Sequence, residues 1–228
     1  MRGIQHDGTR ALLRAQGPLL GLIALMVGIF VMQGVRGERW FGPFMAVPAW
    51  IGESWDHVKA GHVTGKELTR FGTLFSYAFF HADAEHILFN MLYLWVFAGL
   101  TAELLGHRWM IGIFLFTAFT GGIFHSVLNP GSMSTLLGAS GSVMGFEGAY
   151  LGMAVRWQLP PPHIWPMARA IEPGRLALIG VLGVVIDYTS LMSDSPGNIA
   201  YGAHLGGFVG GLVLASVFAP MPKSAQYR

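Results

Sequence analysis

Long apolar runs separated by short polar stretches dominate this chain, and their lengths decide what they become. A helix needs about 20 mostly apolar residues to cross a hydrocarbon core of about 30 Å. Six segments approach that length: 18 to 35, 84 to 104, 108 to 128, 140 to 157, 176 to 193 and 201 to 219. The pattern predicts an all-α membrane protein with six transmembrane helices in one membrane domain, 18 to 219, between tails 1 to 17 and 220 to 228. The first run follows Arg10 and Arg14 as a signal peptide would, but it is long, and Met32-Gln33-Gly34-Val35-Arg36 offers no small-x-small cleavage site. It is therefore expected to span. The connection from 36 to 83 is too long for a simple loop, and Trp40-Phe41-Gly42-Pro43-Phe44, Trp50 and Trp55 suggest structure lying at the interface.

Composition supports the membrane class. Of 228 residues, 53% are hydrophobic and 11% charged, against about 25% charged in a soluble domain. Thirty-two glycines, twelve methionines and seven tryptophans suit closely packed helices with aromatic belts. The absence of cysteine excludes a disulfide framework, a thiolate metal site and a cysteine nucleophile. The net charge is only +2, so its distribution matters more than its size. Arg2, Arg10 and Arg14, then His107-Arg108, then Arg156, Arg169 and Arg175, and finally Lys223 and Arg228 fall on one side of six spans. The stretch from Ser126 to Gly138, opposite, carries no charge, and the fifth connection holds Asp187 and Asp194. The positive-inside rule makes both termini cytoplasmic.

Ionisable residues at membrane depth are costly and mark function by default. His81, Asp83, Glu85 and His86 open the second predicted helix, and Glu103, His125, Glu147, Asp187 and His204 follow. Two groups stand out. Gly138-Ala139-Ser140-Gly141 sits where an uncharged loop turns into the fourth helix. A serine hydroxyl attacks only when a base takes its proton and donors stabilise the oxyanion. Alone the motif is weak, because small residues in membrane helices usually serve packing. Gly202-Ala203-His204-Leu205-Gly206-Gly207 opens the sixth helix, and its histidine on its own could be a hydrogen-bonded core residue or a pore-lining group.

Helical geometry links the two. At about 100° per residue, Gly207 and Gly211 share a side with His204, and Gly141, Gly145, Gly148 and Gly152 form one stripe beside Ser140. Helices packed through such faces approach closely, which would bring Ser140 to His204 near the outer surface. In the second helix His86 and Asn90 are four apart and share a face, able to aim two donors at an oxyanion or merely to bridge helices. His81 and His86, five apart, lie about 140° from one another, which disfavours a zinc site there.

Taken together these residues resemble the rhomboid family of intramembrane proteases. The likeness rests on His81, His86 and Asn90, on Leu92-Tyr93-Leu94-Trp95-Val96-Phe97 leading to Glu103, on Gly138 to Gly141, and on Ala203-His204 with Gly206, Gly207 and Gly211. The resemblance implies a six-helix rhomboid-like bundle and a Ser140–His204 dyad without an acid. The oxyanion hole would comprise the Ser140 backbone N–H and the side chains of His86 and Asn90. It also implies that Glu103 anchors the cytoplasmic end of the second helix, that Phe89 lies near a substrate gate between helices two and five, and that no metal or cofactor takes part. The expected partners are the lipid bilayer and transmembrane segments of substrate proteins, not nucleic acid, in a bacterial inner membrane.

Three positions depart from the family pattern. The ring often found four residues after the serine, packed on the histidine, is Met144, which can still cover an imidazole. The Trp-Arg pair of several members is replaced in the first connection by Gly72-Thr73, with Arg70-Phe71 just before. Glu147 lies seven residues after Ser140 on nearly the same face. It either hydrogen-bonds a neighbouring helix or holds water beneath the dyad and makes activity depend on its protonation. The expected reaction is attack by Ser140 as His204 takes its proton, then hydrolysis of the acyl-enzyme. The rival readings are an inactive rhomboid-like protein that binds membrane clients, and a proton-relaying transporter or channel. The first is disfavoured by the intact serine and histidine. A transporter would spread polar residues through the membrane depth, whereas most here cluster at the outer ends of helices two, four and six.

Overall fold

In a computed structural model of the chain, residues 3–160 and 200–227 are described, together with the helical positions Gly174, Arg175, Leu178, Leu182 and Val185. The apolar runs form helices because a backbone without water to bond must satisfy its own polar groups. Helix α1 spans Gly3–Arg36, α2 Glu38–Phe41, α3 Pro48–Lys59, α4 Gly65–Ser76, α5 Ala84–Leu105, α6 His107–Leu128, α7 Ser140–Arg156 and α8 Tyr201–Phe218. Two-residue strands, β1 (Trp157–Gln158) and β2 (Gln226–Tyr227), pair antiparallel.

Among the described residues, four helical stretches are long and apolar enough to cross a membrane: Gln16–Arg36, Ala84–Leu105, His107–Leu128 and Tyr201–Phe218. Helix α7 has 17 residues and buries most of its length. These boundaries agree with the sequence pattern to within two residues, except at the N-terminus, where the helix runs on from Gly3 instead of starting near 18. The stretch ahead of the apolar run, with Ala11-Leu12-Leu13-Arg14-Ala15, is rich in good helix formers, so the helix does not stop where apolarity does. The fifth expected span, 176 to 193, lies outside the described residues apart from Leu178, Leu182 and Val185, all exposed.

Helix α7 is central, flanked by α5, α6 and α8. Glycine makes its contact with α8 possible. A Cβ on Gly207 would sit 1.9 Å from the carbonyl oxygen of Gly141, one on Gly211 would sit 1.9 Å from that of Gly145, and one on Gly148 would sit 2.0 Å from that of Phe208. The backbones are in direct contact over two turns. Since the partner positions rise together along both helices, α7 and α8 run parallel, with Ser140 and Tyr201 opening them at the same end.

The first connection folds into its own helices. Thr64 and Glu67 form a capping box at the start of α4, and Glu67 also meets His57 of α3 at 2.9 Å. Hydrogen bonds from Thr64 and His57 hold the Glu67 carboxyl down at about 2. Arg70 reaches Glu53 at 3.0 Å and stands 5.5 Å from the centre of the Trp50 ring. The tryptophan–arginine partnership missing from the local sequence is thus made in space, between α3 and α4.

Candidate active site

Ser140 is the first residue of α7, and the backbone before it is unusual. Gly138 has φ +124°, and a Cβ there would lie 2.8 Å from His86 Nε2. Only glycine meets both demands. The Gly138 N–H donates to the Tyr77 carbonyl at 3.1 Å, and the Leu136 N–H to the Ala46 carbonyl at 2.7 Å, fixing how the chain enters the helix. The first intrahelical bond runs from Val143 N–H to the Ala139 carbonyl, and Ala139 supplies no side-chain cap. The N–H groups of Ser140, Gly141 and Ser142 therefore lie outside the helical ladder, at the positive end of the helix dipole.

His204 stands one turn into α8. Because Gly207 seats that helix on Gly141, its imidazole arrives beside Ser140, with Nε2 at 2.7 Å from the hydroxyl Oγ. The contact is a hydrogen bond of ordinary length.

His86 and His81 lie on the other side of Ser140. Asp83 caps α5 by accepting from the His86 N–H at 2.7 Å. The Ala82 N–H donates to His86 Nδ1 at 3.4 Å, so a neutral ring carries its proton on Nε2, the nitrogen facing Gly138. Asn90, one turn on, donates from its side chain to the His86 carbonyl at 2.8 Å. That leaves Asn90 one free amide hydrogen in this arrangement. His81 is fully buried and packs edge-on against His86, with ring centres 5.2 Å apart. Its Nε2 accepts from the Ala139 N–H at 3.5 Å, and burial pushes its pKa down to about 3. Gln33 of α1 grips the same residue, donating to its carbonyl and accepting its N–H, each at 3.1 Å.

Ser140, His204 and His86 line a cavity of about 760 Å³ that His125, Asn129, Ser132, Ser134 and Thr135 also border. Asn90 and His81 are not part of its wall. The other expected residues are more dispersed. Gly141 and Gly207 form the helix contact. Met144 is partly buried one turn below Ser140, and Glu147 is buried a further turn down. Phe89 is exposed on α5, and Glu103 is exposed in its last turn. Three contributors lacked a local motif. Gln33 is one polar residue near the end of an apolar run. His125 is among the ionisable residues but belongs to no motif. Tyr201, three residues before His204, packs its ring edge-on against the imidazole at 6.3 Å.

Two glycine-seated helices of an apolar helical bundle thus present a serine and a histidine to one cavity. Residues 67–221 match the Rhomboid domain, about two thirds of the chain, and the chain belongs to the rhomboid family. It is similar to proteins named Rhomboid protease GlpG. It is 25% identical to the one from Yersinia pseudotuberculosis over 205 residues, covering 89% of this chain and 64% of the relative. To that of Pectobacterium atrosepticum it is 25% identical over 217 residues, with 93% and 68% covered. To that of Yersinia pestis it is 26% identical over 211 residues, with 89% and 64% covered. The chain thus spans about two thirds of the length of these relatives.

Proposed function

We propose that the chain is an intramembrane serine endopeptidase that cleaves transmembrane helices of membrane proteins near the outer membrane face. The single observation that carries this reading is the 2.7 Å contact between Ser140 Oγ and His204 Nε2 at the floor of an open polar cavity. His204 accepts the serine proton as Oγ attacks the substrate carbonyl, and then gives it to the departing amine. The negative charge on the tetrahedral oxygen is met by the unladdered N–H of Ser140 and by the Nε2–H of His86, with Asn90 contributing its remaining amide hydrogen. Water from the cavity hydrolyses the acyl-enzyme, and no cofactor or metal ion is involved.

In this reading six helices span the bilayer, the fifth within 176 to 193, and both termini are cytoplasmic. Substrate enters from the lipid between the second and fifth spans, past Phe89, while Glu103 anchors the cytoplasmic end of α5. The relatives' names, Rhomboid protease, support the activity. The test is labelling with a fluorophosphonate probe in detergent or liposomes, alongside cleavage of a model transmembrane substrate. Wild type is expected to label and cleave. Ser140→Ala is expected to do neither, and His204→Ala to lose at least about a hundredfold in rate, as expected when a general base is removed. Folded wild type that neither labels nor cleaves would sink the reading.

A further inference from the structure

A histidine that must receive a proton from Ser140 has to be held with Nε2 aimed at Oγ, because a ring free to turn spends much of its time misdirected. Four residues after Ser140, one turn along α7 and on its face, stands Met144 and not a ring. Methionine is flexible about three bonds and holds a neighbour loosely. Among the described residues, an aromatic ring does meet the imidazole, and it comes from α8 itself. Tyr201 lies three residues before His204, so the two side chains share a helix face. Their ring centres are 6.3 Å apart and their planes 84° from one another, an edge-to-face arrangement.

The place of Tyr201 in the fold fixes the backbone that carries that ring. It is the first residue of α8, and the turn around it is closed by the Ala203 and His204 N–H groups, which both donate to the Ala200 carbonyl, at 2.8 and 3.3 Å. The next residue, Gly202, is pressed against α6, where an added Cβ would lie 3.1 Å from the His125 Cα. The backbone bearing Tyr201 is therefore held by its own first turn and by α6, and its side chain turns towards His204.

We propose that Tyr201 is the positioning residue for His204, holding the imidazole towards Ser140 from within α8 in place of the ring absent at position 144. This rests on the Ser140–His204 reading of the site. The contact is made by the ring and not by the hydroxyl, so Tyr201→Phe keeps the function and Tyr201→Leu loses it. The loss is one of geometry, so it falls on the rate of the chemical step and not on substrate affinity.

Two readouts of one probe separate these effects. The endpoint of fluorophosphonate labelling counts folded sites, while the rate of labelling at fixed probe concentration reports activation of the serine. Tyr201→Leu is expected to reach the wild-type endpoint about three- to tenfold more slowly, the range an edge-to-face pair supports, with kcat on a transmembrane substrate lowered to match and KM unchanged. Tyr201→Phe restores the rate. Adding Met144→Tyr to Tyr201→Leu supplies the ring from α7 and recovers part of it. If Tyr201→Leu lowers the endpoint, labelling rate per folded site still decides, and Tyr201→Phe serves as the folded reference. Equal rates per site for wild type, Tyr201→Phe and Tyr201→Leu overturn the proposal while leaving the dyad standing. Failure of wild type itself to label refutes the dyad instead.

Discussion

His81 presents the plainest consequence of burial at a single residue. It is fully enclosed, its Nε2 is committed to the Ala139 N–H, and its Nδ1 has no hydrogen-bond partner among the described residues. Burial is the main reason its pKa falls from 6.5 to about 3, with the neighbouring His86 adding to the shift and Asp83 opposing it. The folded protein thus refuses a proton that the unfolded chain accepts near 6.5. Stability from the neutral His81 is fully present above that value and declines as pH falls towards 3, because the unfolded state binds more protons throughout the interval. Thermal denaturation in detergent from pH 7 to 4 is expected to show Tm falling with acidity in the wild type. His81→Gln, which keeps an acceptor but has no proton to gain, should fall less steeply; identical slopes would remove His81 as the cause. Such a residue shows what sequence does and does not disclose. Its motif position could be read, as could those of Ser140 and His204, because each sits in a short pattern. Its partner Gln33 could not, because 48 residues separate them and only packing of α1 on the rest joins them. Tyr201 was within reach, for a ring three residues before a helical histidine necessarily shares its face.

At the scale of elements, the meeting of Ser140 with His204 depends on how closely α7 approaches α8. Membrane helices associate chiefly through close packing, since lipid offers no hydrophobic drive between them, and glycine faces set the distance. A methyl group on Gly207 would have to occupy space 1.9 Å from the Gly141 carbonyl oxygen, which is backbone and cannot rotate aside. Gly207→Ala is therefore expected to force the helices apart, at a cost of about 1–3 kcal/mol for overpacking, and to lengthen the Ser140–His204 contact three residues away. The prediction is a lowered Tm together with loss of most fluorophosphonate labelling. Gly112→Ala on α6, where an added Cβ meets nothing within 4 Å among the described residues, is the matched control and should leave both unchanged. This pairing was legible from glycine spacing alone because i, i+3, i+4 and i+7 positions are tied to one face by helix geometry. The first connection was less legible. Its aromatic and proline content announced structure without resolving α3 and α4, and the pairing of Trp50 with Arg70 joins residues 20 apart in sequence that meet across two helices. The Thr64-x-x-Glu67 spacing was the local signal that could have placed the start of α4.

For the molecule as a whole, the Ser140–His204 pair and the C-terminal tail lie at opposite ends of the same bundle. Helix α7 runs from Ser140 to Arg156, a rise of about 25 Å at 1.5 Å per residue, and its end is marked twice. Arg156 donates to the carbonyls of Ala215 and Ala219 at the end of α8, at 3.0 and 2.9 Å, and its guanidinium lies 4.0 Å from the Trp157 ring centre. Directly beyond, Trp157–Gln158 pairs with Gln226–Tyr227, so the tail is tied to the end furthest from Ser140. Orientation in the bilayer therefore reduces to one question: which side holds the tail. The proposal of a cytoplasmic tail, drawn from Lys223, Arg228 and the loop charges, requires the Ser140 cavity to face outward. A chain without cysteine allows a direct check. Ser134→Cys lies on the cavity rim and Ser224→Cys in the tail, and both positions are exposed. In intact spheroplasts a membrane-impermeant maleimide is expected to label Ser134→Cys at once and Ser224→Cys only after the membrane is opened. The reverse order would invert the topology and put proteolysis at the cytoplasmic face. Labelling of both before opening would break the link between the bundle's two ends and the bilayer's two sides, and with it the expectation that substrates are cut near their outer ends.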